Sequence, residues 1–296
     1  MVEGARLMNS AGEDIVLKHG FTDPMQLTRD RLAQTIMGEL LAGHDVDGGI
    51  IMDLSPIAKE RLAPLFPLLP SSWHADQKTL IVSPTTHFCM GGIIINKYAE
   101  TPLPGLFAAG ETTAGVHGAN RLGGNALCEV FTFGSIAGKN AAARAEEMGT
   151  VNVRDEMINY EKVRLESRFR ENCLNTSALG KTLKQIMWFK AGILRDSEGL
   201  SEALETISHI RSEAVEARIT KISDLIRCLE FENMLMLSET VCRAALLRTE
   251  SRGSHYRTDC PEEDNAHWLK NIVAKKEEGE IRLETVPNLK SISLVR

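Results

Sequence analysis

The sequence predicts a mixed α/β portion followed by an all-α one, and two contrasts along the chain carry that prediction. Residues 80–150 are rich in glycine and small residues around short apolar runs, whereas residues 154–250 hold few glycines and long stretches of 3.6-residue periodicity. A third observation bounds the size. The chain has 296 residues, 43% hydrophobic and 25% charged, enough for one large or two ordinary folded domains with a sizeable core. The changes of character divide the chain into 1–80, 81–150, 151–250 and 251–296.

The first portion is mixed. Leu32, Ile36, Leu40 and Leu41 lie at helical spacing within residues 26–42, and Gly43 is placed to stop that helix. Gly49 to Leu54 reads as a strand. The stretch from Pro56 to Pro70 holds four prolines and reads as a short helix and loop. Leu80-Ile81-Val82 is strand-like, Ile93-Ile94-Ile95 follows a Gly-Gly turn, and Leu106-Phe107-Ala108-Ala109 reads as a short buried strand. Residues 125–147 form a strong, alanine-rich helical pattern. Ile207, Ile210, Val215, Ile219, Ile222, Leu225, Ile226 and Leu229 mark one long helix, and Glu232 to Leu247 a second, as in a helical bundle. In the tail, residues 281–286 alternate as an exposed strand does.

Composition excludes several classes of function. A net charge of −6 disfavours nucleic-acid binding. No apolar run approaches the roughly 18–20 residues that span a bilayer, and the first residues lack the apolar core of an export signal. Cys89, Cys128, Cys173, Cys228, Cys242 and Cys260 form no C-x-x-C pair and flank no histidine at ligand spacing. They read as reduced packing residues of a cytosolic protein, with no metal site.

Three short stretches carry chemistry. In Pro84–Ile93 a histidine, His87, is followed by Gly91-Gly92, which lets the backbone turn sharply; a hairpin with a hydrogen-bonded core histidine is the plain alternative. In Gly105–Glu111 an apolar run ends in Gly-Glu. That sets the Glu111 carboxylate where open α/β sheets contact ligands and where ribose or ribityl hydroxyls can be accepted. The third, His117–Leu127, sets one arginine, Arg121, among glycines just before a helix that begins near Asn125. The helix start offers free N–H groups and a positive dipole end, and Arg121 offers a planar fork to a carboxylate.

Together these stretches resemble the flavoprotein subunit of succinate dehydrogenase and fumarate reductase. The run His117-Gly118-Ala119-Asn120-Arg121-Leu122-Gly123-Gly124-Asn125-Ala126-Leu127 is highly specific to that superfamily. Ser251–Asp259, Asp264-Asn265, Trp268-Leu269, Leu7-Met8-Asn9 and Gly12-Glu13 follow in family order. The resemblance implies FAD as cofactor and roles residue by residue. Arg29 matches the proton-transferring arginine. His87 and Arg121 match the groups that bind the dicarboxylate, and Glu111 matches the FAD-binding acid. Asn125, Ala126 and Leu127 match the helix start facing the flavin, where serine is usual at the Ala126 position.

By the same resemblance, 1–80 is a capping-domain portion, 81–150 the closing part of a FAD-binding domain, 151–250 a helical domain and 251–296 a tail packing on the flavin domain. His255 and Arg257 are expected to brace that tail against the flavin domain. No G-x-G-x-x-G turn occurs in the sequence, so the chain corresponds to the C-terminal part of the family and the isolated chain is expected to hold FAD poorly. The implied activity interconverts fumarate and succinate, with electrons exchanged through an iron–sulfur subunit, membrane attachment only through partners and a cytoplasmic location. L-Aspartate oxidase and thiol-dependent fumarate reductase are the enzyme alternatives; a docking or assembly subunit is the non-enzyme one.

Overall fold

A computed structural model of the chain describes residues 4–22, 27–62, 64, 78–169, 172–173, 176–212, 217–219 and 221–288. The chain divides into two units, residues 1–87 and 88–296.

The first unit is a small sheet with helices on one face. Strand β1 (Arg6–Met8), helix α1 (Ile15–Lys18), helix α2 (Arg29–Leu41), strand β2 (Ile50–Asp53), helix α3 (Lys59–Leu62) and strand β3 (Thr79–Val82) follow in order. The sheet runs β1-β2-β3, antiparallel throughout, with Leu7 opposite Met52 and Ile51 opposite Ile81. Pleating turns Leu7, Ile50, Met52 and Val82 to one face, where Ile15 of α1 and Leu32, Ile36 and Leu40 of α2 meet them. The four-residue spacing in α2 is what gives that helix a single apolar face, and each fully buried aliphatic side chain there contributes roughly 1.5–3 kcal/mol. Asp14 caps α1, its carboxylate accepting from the Val16 and Leu17 N–H groups. The predicted helix and the strands at β2 and β3 are therefore present. The Pro-rich stretch contains α3, and its residues 63 and 65–70 lie outside the described residues.

Beneath α2 lies a polar knot. Glu39 is buried, at 3% exposure. Its carboxylate accepts hydrogen bonds from Asn9 Nδ2 (2.9 Å), His19 Nε2 (2.8 Å) and His44 Nδ1 (3.0 Å), and Lys18 Nζ stands 3.1 Å away. Burial by itself would raise the Glu39 carboxyl; the bonds from Asn9, His19, Lys18 and His44 outweigh it and hold the group at about 2.

The second unit begins with compact irregular backbone. Residues 106–109 form no strand: Phe107 makes one isolated bridge to Glu100, Leu106 is exposed, and Ala108 N–H donates to the Ala99 carbonyl. The apolar character read as a buried strand goes instead into a short local turn pairing with residues 99–101. Ile93 likewise makes a single parallel bridge, to Thr113. Gly92 is required there, because a Cβ on it would stand 2.2 Å from the Thr112 carbonyl oxygen.

Helix α4 (Asn125–Met148) and helix α5 (Asp155–Ser167) follow, then strand β4 (Asn172–Cys173), α6 (Thr176–Lys190), α7 (Ser197–Ser212), strand β5 (Ala217–Arg218) and α8 (Ile222–Leu247). Helices α6, α7 and α8 form the bundle, with Leu183, Leu200, Ile207, Phe231, Leu235 and Cys242 at its core. The predicted long helix over 207–229 is broken. Ile207 and Ile210 belong to α7, Ile222 to Leu229 open α8, and β5 between them pairs with β4. Val215 lies outside the described residues. Helix α9 (Asn265–Trp268) leads into the hairpin of β6 (Lys270–Glu277) and β7 (Glu280–Pro287). Its two-residue turn has positive φ at both Glu278 and Gly279, the backbone of a type I′ hairpin.

Cys242 is buried against Met187, and burial pushes its thiol up to about 11. Cys89, Cys128 and Cys260 are also free thiols. Cys228 is disulfide-bonded, against the expectation of reduced thiols throughout; linear spacing does not say which cysteines meet in space. Among the described residues no helix is long and apolar enough to cross a membrane, and no group of three or more His, Cys, Asp or Glu side chains is arranged to hold a metal ion.

Candidate functional site

In the first unit, Arg29 is the first residue of α2 and is exposed, with Thr28 as the N-cap. His87 is exposed five residues beyond the end of β3.

In the second unit the loop 117–124 is held by three kinds of contact. The Arg121 guanidinium lies over the Phe88 ring, 4.5 Å from its centroid, and His117 meets the same ring edge-on at 5.1 Å. Phe88 is thus packed between the two polar groups of the loop. Arg121 Nη1 donates weakly to the Leu122 carbonyl at 3.4 Å, and its Nε is buried without a hydrogen-bond partner among the described residues. No carboxylate of the described residues pairs with Arg121. A guanidinium fixed by an aromatic face, with most of its donors unspent, is prepared to take an anion.

The third contact comes from the tail. Ser254 N–H and Oγ both donate to the Ala119 carbonyl, at 3.1 and 3.3 Å. Gly253 has φ +59°, and a Cβ on it would stand 2.3 Å from that same oxygen. His255 and Arg257 turn the other way, into the bundle. Arg195 Nη1 donates to His255 Nδ1 at 2.8 Å; burial and the cations Arg195 and Arg248 push His255 down to about 4, so it is neutral near pH 7. Arg257, 2% exposed, pairs with Asp259 and donates to the Ala245 and Leu246 carbonyls at the end of α8, where helix carbonyls lack partners. The tail is therefore anchored on the bundle by His255 and Arg257, and it reaches loop 117–124 through Gly253 and Ser254.

The start of α4 is open. Its N-cap is Gly124 in the left-handed region (φ +86°), so no side chain caps the first turn, and that turn holds no acidic residue. A Cβ on Gly123 or Gly124 would meet nothing within 4 Å. Leu122 and Leu127 flank this end and are exposed; Asn125 is exposed and Ala126 half-buried. Asn125 N–H donates to the Leu122 carbonyl at 3.3 Å; the first-turn N–H groups after it, the positive dipole end and the apolar flanks suit the polar edge and flat face of an electron-poor ring. Glu111 is exposed, and its Oε1 accepts from Cys89 N–H at 2.9 Å.

The structure thus ties Glu111 to the segment after His87, and Arg121 to Phe88 and His117. Phe88 escaped the sequence reading because an aromatic in a loop carries no periodic signal. Glu129, buried on α4 with its Oε1 accepting from Gly110 N–H at 3.1 Å, escaped it as one acid in a helical pattern. The signal was an acidic residue one turn into a helix otherwise opening on small and apolar residues.

Residues 2–127 match the FAD binding domain family, and residues 180–292 match the family described as fumarate reductase flavoprotein C-term. An uncharacterised FAD-dependent oxidoreductase of Methanocaldococcus jannaschii is 38% identical over 279 residues, 92% of this chain and 51% of that protein. One subunit of the fumarate reductase (CoM/CoB) of Methanothermobacter marburgensis is 36% identical, over 93% of this chain and 51% of its own length. The chain spans about half the length of the curated relatives it matches. Among solved structures, a variant of the Escherichia coli quinol fumarate reductase FrdA aligns with a TM-score of 0.85 at 28% identity, over 97% of this chain and 55% of that one. The cofactor of this fold is FAD, and the uncapped α4 start, the open glycines and Glu111 fit it. A mixed α/β portion with a helical bundle, the flavin-family loop 117–127 and these matches converge: the chain belongs to the succinate dehydrogenase and fumarate reductase flavoprotein family.

Proposed function

We propose that this chain supplies the substrate-binding and proton-transferring side of an FAD-dependent enzyme that interconverts fumarate and succinate. The observation that carries the reading is Arg121, stacked on Phe88 with its donors unspent beside an uncapped helix start. When bound, FAD supplies the hydride donor or acceptor. Arg121 and His87 hold the two carboxylates of the dicarboxylate, and withdrawing charge from one of them readies the double bond for attack. Arg29 moves the proton at the neighbouring carbon. An arginine with its ordinary pKa above 12 serves only if a relay restores its proton quickly. Glu111 accepts a hydroxyl of the cofactor, and the Asn125-Ala126-Leu127 backbone faces its ring.

In this reading residues 1–80 are a capping portion, 81–150 the closing part of the flavin domain, 151–250 a helical domain and 251–296 a tail that packs on the flavin domain. An iron–sulfur subunit exchanges electrons with the flavin, and the protein reaches a membrane through such partners, on its cytoplasmic face. The test is fumarate reduction by reduced viologen in the flavin-loaded protein, with succinate and L-aspartate oxidation beside it. Turnover of fumarate that is abolished by Arg29→Ala and Arg121→Ala is expected. Turnover of L-aspartate alone, or activity that survives both substitutions, rejects the reading.

A further inference from the structure

Of the 24 residues of α4, Glu129 alone is buried. A carboxylate is the group a largely exposed helix would bury last. Its two oxygens are used differently. Oε1 accepts from Gly110 N–H at 3.1 Å, whereas Oε2 is buried with no hydrogen-bond partner among the described residues. Gly110 is itself buried, in the left-handed region at φ +83°, and immediately precedes Glu111. Its carbonyl accepts from Thr113 N–H (2.9 Å) and Thr113 Oγ1 (2.8 Å). The peptide groups leading into Glu111 are therefore gripped at both polar ends, and the N–H grip comes from α4. The Glu111 carboxylate then accepts from Cys89 N–H.

We infer that Glu129 is a positioning residue for Glu111. It locks the Gly110–Glu111 turn onto the first turns of α4, so that the acid and the helix start present themselves to the flavin as one piece. The inference rests on the flavin reading above for its purpose, though not for its geometry. Replacing the carboxylate by an apolar side chain leaves the buried Gly110 N–H without its acceptor and so lowers stability whatever the role; what separates a positioning role from a structural one is the effect on FAD.

That sets the experiment, on the full chain with Glu129→Gln and Glu129→Met. Glutamine keeps an oxygen for Gly110 N–H; methionine fills the space and accepts nothing there. With Met, the Gly110 amide is expected to exchange at least about tenfold faster and the FAD dissociation constant to rise about tenfold, with a modest fall in melting temperature. With Gln, both quantities stay near those of the unsubstituted chain. Unchanged Gly110 exchange in the Met variant overturns the inference, as does faster exchange with unchanged FAD affinity. An unsubstituted chain that binds no FAD, with the exchange pattern as expected, counts against the proposed function and leaves the Glu129 clamp supported.

Discussion

Glu39 and Glu129 are both buried acids, and the regions around them are built to opposite ends. Glu39 is surrounded by Asn9, Lys18, His19 and His44, and every partner belongs to the elements it holds together. Among the described residues Glu129 has one partner, a backbone N–H, and an oxygen left over. Arg121, nearby in sequence, shows the same half-use of its polar atoms. A saturated network fixes a fold and offers nothing to a ligand. A half-used one is tolerated where a ligand or a positioned neighbour takes up the remainder.

The sharpest way to break the contrast is at Arg121. Arg121→Ala in the flavin-loaded protein is expected to lower kcat/KM for fumarate by about 10³-fold, and Arg121→Lys by about 10²-fold, because a point charge replaces a fork. Neither should alter stability by more than about 0.5 kcal/mol in urea titrations. At Glu39 the balance inverts: Glu39→Ala should destabilise the chain by about 1–3 kcal/mol, because it removes the buried acceptor that gathers Asn9, Lys18, His19 and His44, while Asn9 and Lys18 keep only Glu13.

Acid tests the same knot without mutation. The Glu39 carboxyl sits at about 2 in the folded chain, below its ordinary 4.5. Its contribution is therefore fully present above about pH 4.5 and lost as pH falls toward 2, by about 3 kcal/mol in all. Denaturant titrations across pH 5 to 2 should show that loss, and Glu39→Gln should flatten it. Gly253→Ala should cost about 2 kcal/mol, since its Cβ would strike the Ala119 carbonyl. Ser254→Ala removes one long bond and should cost less than about 1 kcal/mol. Both should raise KM for fumarate more than they lower kcat, because they loosen the loop that bears Arg121.

The sequence made some of this legible. Leu32, Ile36 and Leu40 repeat every four residues, so α2 was visible, and the glycines around Arg121 marked a loop that approaches a ligand. Other features depend on contacts that no local pattern encodes. The apolar spacing from Ile207 to Leu229 continues across a real break, because β5 is fixed by pairing with β4 rather than by its own residues. Residues 106–109 are apolar enough for a strand yet pair only locally. β6 hid behind a lysine-rich sequence and is set by its register with β7. Phe88 gains its role from Arg121 and His117, some 30 positions away.

The bond from Ser254 to Ala119 joins groups 135 positions apart. Contacts of that span form late, since the intervening chain must be organised before closure is repaid. During synthesis the Arg121 loop emerges long before the residues that fasten it. The fastened form of the loop is therefore acquired only once the bundle has folded and the tail has come back to it, which keeps a half-made chain from presenting Arg121 in its final setting.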